Sequence, residues 1–280
     1  MAEVKDSTIL IQDVETKNIM TKSTLPVGGY SVNPYVGCTH GCKYCYASFM
    51  KRFTGHTEPW GTFLDVKHWP AIKNPQRYHG QRIVIGSVTD GYLPQEAQFQ
   101  NTRKLLAQLR GSGAEILICT KSDLVIRDID LLKELGKVTV SWSINTLDEG
   151  FKNDMDNAVS ISRRLEAMKQ VYEAGIRTVC FIAPVFPGIT DFEAIFHRVR
   201  NQCDLIWLEN LNLRGGFKKD ILDYIRNKYP DLAALYDAIY NKADKSYFRG
   251  VEAQAEHIAK EYGCPFVDNE LPYGRAEPGH

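Results

Sequence analysis

The chain has 280 residues, 44% of them hydrophobic, with 34 basic and 34 acidic side chains and a formal net charge of zero. That hydrophobic share supplies a buried core without disulfide or metal staples. The missing basic excess argues against a protein held mainly by nucleic-acid phosphates, although it leaves room for a local basic patch.

The first twenty residues lack a basic stretch followed by an apolar core, and no apolar run approaches the roughly 18 residues of a membrane span. Seven mostly scattered cysteines suit a reducing compartment, so a soluble cytoplasmic protein is expected. In chain order, a first strand is expected near Tyr30 to Val36 and a second at "RIVIGSV" (82–88). From Pro94 a helical pattern runs through Leu109, with Phe99, Leu105, Leu106 and Leu109 facing inward. "EILICT" (115–120) is a strand, Arg127 to Leu135 a helix, and "VTVSWSI" (138–144) a strand. Ile161, Leu165, Met168 and Tyr172 step by four, three and four along one helical face that ends at Gly175. "RTVCFIAPV" (177–185), "TDFEAIFHRVRNQ" (190–202) and "DLIWLENL" (204–211) read as strand, helix and strand. Residues 217–263 read as mostly helical, with breaks at Pro230 and near Asn241 to Ser246, followed by "CPFV" and a polar end.

Strands alternating with helices of this length imply right-handed βαβ units and a parallel sheet. The expected fold is α/β: a partial (β/α)6 TIM-like barrel with a helical C-terminal extension. Its divisions are a lead segment (1–29), the barrel (30–215) and the extension (216–280) packed on it. In such sheets ligands bind beyond the carboxyl ends of the strands. Thr89-Asp90, Lys121-Ser122, Ser143 to Asn145 and Glu209-Asn210 follow the apolar runs, so they are expected to converge on one rim.

The loop after the first strand, "NPYVGCTHGCKYCYA" (33–47), carries Cys38, Cys42 and Cys45 in a C-x3-C-x2-C pattern. Three chemistries fit the spacing. Zinc would add an imidazole, His40 or His56, to the three thiolates. A thiol redox pair would use Cys42-Lys43-Tyr44-Cys45. An iron–sulfur cluster held by three cysteines would leave one iron without a protein ligand, as suits an open position at a barrel mouth.

The same motif, with an aromatic before its last cysteine, resembles the signature of the radical S-adenosylmethionine (SAM) superfamily. The stretches "GSVTDGYLPQE", "CTKSDLVIRDIDLL", "VSWSINTLDE", "RRLEAMKQVYEAGI" and "APVFPGITD" extend that likeness over roughly residues 30 to 215. They point to the branch that includes spore photoproduct lyase, and within it the set called radical SAM mobile pair protein B. The resemblance implies a 4Fe–4S cluster on Cys38, Cys42 and Cys45, with SAM as the remaining iron ligand. It also implies reductive SAM cleavage and hydrogen abstraction from an unidentified substrate. Tyr44 and Tyr46 are then expected against SAM, Thr89 and, less directly, Asp90 at its amino group, and Lys121 at its carboxylate. Ser143 and Asn145 would face the ribose or carboxylate, Arg164 a carboxylate, and the Ala183 backbone the adenine. A low-potential electron donor of the flavodoxin or ferredoxin type is implied as partner.

Each residue also has a plainer reading. Thr89 and Ser143 at strand ends can bond local backbone, Arg164 can be a solvated charge, and Tyr46 can be core. In "PGITD", Thr190 or Asp191 can cap a helix. Cys180 and Cys264 read as buried, unreactive thiols. Trp60 and Trp69 read as packing, with a cover over SAM as the other option; Arg214, Lys218 and Lys219 read as a solvated turn, with an anionic substrate as the other. The tail "DNELPYGRAEPGH" could fold across the barrel or be disordered. One departure matters: spore photoproduct lyases carry a hydrogen-donating cysteine where this chain has Val88. Either Cys119 stands in for it or DNA photoproduct repair is not the reaction.

Overall fold

The computed structural model describes residues 9–23, 29–262 and 266–267. It comprises two compact units. The first holds the described residues through Cys42, with Ala47–Val140 and Asp156–Val159; the second holds Lys43–Tyr46, Ser141–Met155 and the described residues from Ser160 onward.

In chain order the first unit contains strands β1 (Leu10–Glu15), β2 (Thr21–Lys22), β3 (Tyr30–Val32), β4 (Tyr35–Val36), β5 (Phe63–His68) and β6 (Arg82–Ile85). Helices α1 (Glu96–Phe99) and α2 (Asn101–Gln108), strand β7 (Glu115–Thr120) and helix α3 (Ile129–Leu135) follow. One ladder runs β7-β6-β3-β2, with the first two pairings parallel. A separate three-stranded ladder runs β1-β5-β4.

Strand β8 (Val138–Ser143) carries the chain into the second unit. There follow α4 (Glu149–Met155), α5 (Ile161–Glu173), β9 (Arg177–Val185), α6 (Phe192–Val199), β10 (Leu205–Asn210), α7 (Phe217–Lys228), α8 (Ala233–Tyr240), α9 (Ser246–Tyr262) and β11 (Phe266–Val267). β9, β10 and β11 pair in parallel. No described helix is long and apolar enough to cross a membrane.

Most elements fall where periodicity puts them, and the differences have physical causes. The expected first strand is two short ones in different ladders, broken at Asn33-Pro34 because proline offers no N–H to a ladder. "RIVIGSV" pairs only through Ile85. Gly86 then turns into the left-handed region (φ +92°), where an added Cβ would sit 2.3 Å from the Cys119 carbonyl oxygen. The helix expected from Pro94 is split by left-handed Gln100. The buried Glu96 carboxylate accepts the Thr102 and Arg103 N–H groups (3.0 and 3.2 Å), capping the second piece. On α5, Ile161, Leu165 and Met168 are buried as expected, but Val171 completes the face and Tyr172 is exposed.

Strands β1 and β5 have no counterpart in the sequence reading, because charged residues interrupt them. Asp65, in the middle of β5, is buried against His56 Nε2 at 2.7 Å. His56 Nδ1 meets Glu58 at 3.1 Å, and the ring stacks on Phe63 with centroids 3.9 Å apart. Burial pushes the imidazole pKa down, but the Asp65 and Glu58 carboxylates outweigh it and raise it above the ordinary value. A raised folded-state pKa contributes stability below the unfolded-state value and loses it as pH rises through the folded one. The melting-temperature advantage of wild type over His56→Gln is therefore expected to shrink as pH rises from 6 to 8. A gap that is constant or growing would exclude this ion pairing.

Candidate active site

The cysteine loop is held by its backbone before any metal is considered. Gly41 N–H donates to Cys38 O (3.0 Å), closing a turn over residues 38–41, and His40 O accepts Asn157 N–H (2.8 Å). Gly41 is left-handed (φ +55°) and lies against Gly61, whose added Cβ would meet the Gly41 Cα at 3.0 Å. Cys38 is buried in an apolar cluster with Tyr35, Leu64, Val66 and Leu93, against which Trp60 and Phe99 pack.

In the first unit, Asp90 joins this loop to the end of β7. Its carboxylate accepts from His40 Nε2 (3.0 Å), Lys121 N–H (2.7 Å), Tyr92 N–H (2.8 Å) and Thr120 Oγ1 (2.8 Å). Burial alone would raise the Asp90 pKa, but the His40 imidazole and the backbone donors outweigh it and hold it below the ordinary carboxylate range. These four contacts make Asp90 an internal anchor between the loop and the end of β7. Thr89 is buried beside it, its N–H on Asn33 Oδ1 (3.3 Å). The same oxygen accepts the N–H of half-buried Val88 at 3.1 Å. Lys121 and Cys119 are half-buried.

In the second unit, Ile144 N–H donates to Phe181 O (2.9 Å). In a parallel ladder that bond sets Ile144 opposite Ile182, and therefore Asn145 beside Ala183. The β9–β10 register shifts between Leu208 and Asn210, opposite Ala183 and Pro184, where proline cannot extend the ladder. Thr190 Oγ1 donates to Asn145 O (2.9 Å) and accepts Phe186 N–H (2.9 Å), while Asp191 caps α6 through Ala194 N–H. Tyr44 meets Phe186 edge-on, with ring centroids 5.5 Å apart. Tyr44, Asn145 and Ala183 are thus gathered around one turn.

Arg164 has no accessible surface, and its Nη1 donates to Ser143 O (3.2 Å). It is therefore not a solvated charge. Tyr46 is 56% exposed, which removes its reading as core. Cys180 and Cys203 are buried. Cys264 and residues 268–280 lie outside the described residues. Trp69 is packing, with Nε1 on Gln108 (3.0 Å). The basic turn is largely occupied: Lys218 donates to Tyr240 O (2.7 Å) and Lys219 pairs with Asp223. The sequence reading assigned no anchoring role to Asn33, nor to His40 beyond a possible zinc ligand. The signal was present, since both polar residues sit inside the quoted cysteine stretch.

The profile of the Radical SAM superfamily matches residues 32–199. This chain belongs to the radical SAM superfamily. It is 34% identical to an uncharacterized protein of Methanocaldococcus jannaschii over 239 residues, covering 85% of this chain and 89% of that one. It is 26% identical to the radical SAM Nα-GlyT isomerase of Pseudomonas phage M6 over 177 residues, 62% of this chain and 35% of that protein. Among solved structures, a spore photoproduct lyase variant with bound AdoMet and dinucleoside spore photoproduct aligns with a TM-score of 0.58 and 16% identity. That alignment covers 79% of this chain and 66% of that one. A second variant reaches a TM-score of 0.62 at 15% identity, over 94% and 83%. The chain therefore has the radical SAM fold, as in spore photoproduct lyase.

The superfamily implies a 4Fe–4S cluster and SAM; the thiol spacing in the sequence suits the cluster, although no three His, Cys, Asp or Glu side chains are drawn together as a metal site among the described residues. Three thiols at the motif spacing match a cluster with one open iron. Asn145 is 2% exposed, and its Nδ2 has no hydrogen-bond partner among the described residues. An orphaned buried donor costs about 1–3 kcal/mol, which a ligand acceptor would recover. Both nitrogens of His56 are engaged by carboxylates, so it is not available as a zinc ligand.

Proposed function

We propose that this chain is a radical SAM enzyme whose cluster is held by Cys38, Cys42 and Cys45, with residues 30–215 as the catalytic barrel and 216–280 as its extension. When bound, cluster and SAM together supply reductive cleavage to methionine and a 5′-deoxyadenosyl radical that abstracts hydrogen from the substrate. The protein's part is to bind and orient. Thr89 and Lys121 take the amino and carboxylate groups of SAM, while Tyr44 and Tyr46 lie against it. Ser143, seated by Arg164, and Asn145 take the ribose or carboxylate, and the Ala183 backbone reads the adenine. The unpartnered Asn145 Nδ2 supports this reading most directly, because it is a buried donor beside Ala183 waiting for an acceptor.

A cytoplasmic setting keeps the thiols reduced, and a flavodoxin- or ferredoxin-type protein delivers the electron. Spore photoproduct lyase binds a dinucleoside photoproduct. Val88 replaces the thiol which that repair needs, so the substrate of this chain is a different one, unless Cys119 serves as donor. The test is anaerobic reconstitution with iron and sulfide, followed by SAM and dithionite. 5′-Deoxyadenosine should form, and deuterium from the true substrate should appear in it. Stoichiometric zinc with no 5′-deoxyadenosine would replace the enzyme by a zinc-binding module.

A further inference from the structure

We infer that His40 and Asp90 form a positioning pair that sets the cysteine loop in register with the strand ends bearing Thr89 and Lys121. This rests on the radical SAM reading. His40 lies midway between Cys38 and Cys42, is 2% exposed, and touches Asp90 Oδ2 through Nε2 at 3.0 Å. Every other group on the Asp90 carboxylate is a donor: two backbone N–H groups and the Thr120 hydroxyl. An ionised carboxylate only accepts, so the hydrogen of this contact sits on Nε2.

The other ring nitrogen, Nδ1, is buried without a partner. Among the described residues, the Asp90 contact is thus the hydrogen bond that orients the imidazole. Through the Asp90 carboxylate that bond reaches Thr120 and Lys121, and Asp90 itself directly follows Thr89 in the chain. The loop and the SAM-binding strand ends are tied at a single carboxylate. Groups bonded directly to the ligands of a metal site typically cost about 10–100-fold in affinity or activity when lost, and this pair acts one step further out, on the loop that carries the ligands.

The isosteric contrast His40→Gln against His40→Asn isolates the bond. Glutamine places an N–H where Nε2 is and reaches Asp90; asparagine places it at Nδ1 and does not. Each variant, with wild type and Asp90→Asn, is reconstituted anaerobically. Iron and sulfide content, the electron paramagnetic resonance of the reduced cluster with and without SAM, and KM and kcat for 5′-deoxyadenosine formation are then measured. All four proteins are expected to carry the cluster. His40→Asn and Asp90→Asn should raise KM for SAM by about tenfold or more and lose the SAM-induced spectral change. His40→Gln should stay within about threefold of wild type and keep that change. Gln and Asn variants that behave alike, or a His40→Asn protein that holds no iron, would overturn the inference while leaving a competent wild type untouched. A wild type that forms no 5′-deoxyadenosine would overturn the proposed function, and this inference with it.

Discussion

Replacing Cys42 with alanine is expected to abolish both the brown chromophore of the reconstituted protein and SAM-derived 5′-deoxyadenosine, whereas Cys264→Ala should leave both largely intact. The chain holds three thiols within eight positions, and none of the other four cysteines lies near them in sequence. A three-thiolate cluster has no spare protein ligand, so two thiolates cannot retain it against loss of iron. A turn closed by Gly41 N–H on Cys38 O lies between Cys38 and Cys42. Neither property survives in a neighbouring side chain. Iron and sulfide analysis alongside product formation checks the prediction, and full iron content in Cys42→Ala would remove Cys42 from the ligand set.

The second large effect concerns stability. Arg127→Ala is expected to destabilise the fold by about 3–5 kcal/mol, because it removes the cation paired with buried Glu96 and leaves buried Asp128 to Arg103 alone. Glu96 and Asp128 are both 0% exposed. Arg127 bonds Glu96 Oε1 (2.7 Å) and the Glu96 carbonyl (3.0 Å), and meets Asp128 through Nε and Nη2 (2.8 and 2.9 Å). Arg103 reaches Asp128 at 2.7 Å but also pairs with exposed Asp130, so Arg103→Ala should cost less. Arg127→Lys should recover only part of the loss, since an ammonium cannot reproduce the planar fork. Denaturant unfolding measures all three variants, and a loss under about 1 kcal/mol in Arg127→Ala would contradict the account. The effect extends towards the site. Tyr35 donates its hydroxyl to Glu96 and packs in the same cluster as Cys38.

Much of this was legible in order of residues alone. Strands β7 and β9 were read to the residue, because uninterrupted β-branched runs bounded by turn residues admit few alternatives. β1 and β5 were not legible, because Asp65 and Lys67 are tolerated in β5 through partners distant in sequence, His56 and the Asn33 carbonyl. At the site, the spacing of three cysteines left zinc, a thiol redox pair and an iron–sulfur cluster open, the family resemblance pointed to the last, and polar residues after strands marked an expected rim. The role of each polar residue was less readable. Asp90 and Thr89 are neighbours with similar sequence signals, yet Asp90 is saturated by internal donors. Arg164 reads from the sequence as a surface or ligand-facing charge; it has no exposed surface, and its Nη1 donates to Ser143 O.

Sequence by itself determined the alternation of strands and helices, the thiol motif and the superfamily, because periodicity and ligand spacing are local properties of the chain. Tertiary structure decided which polar groups remain available. Hydrogen-bond capacity is finite, and whether Asp90, Arg164 or Asn145 has any left depends on partners that the fold, not the order of residues, brings within about 3 Å.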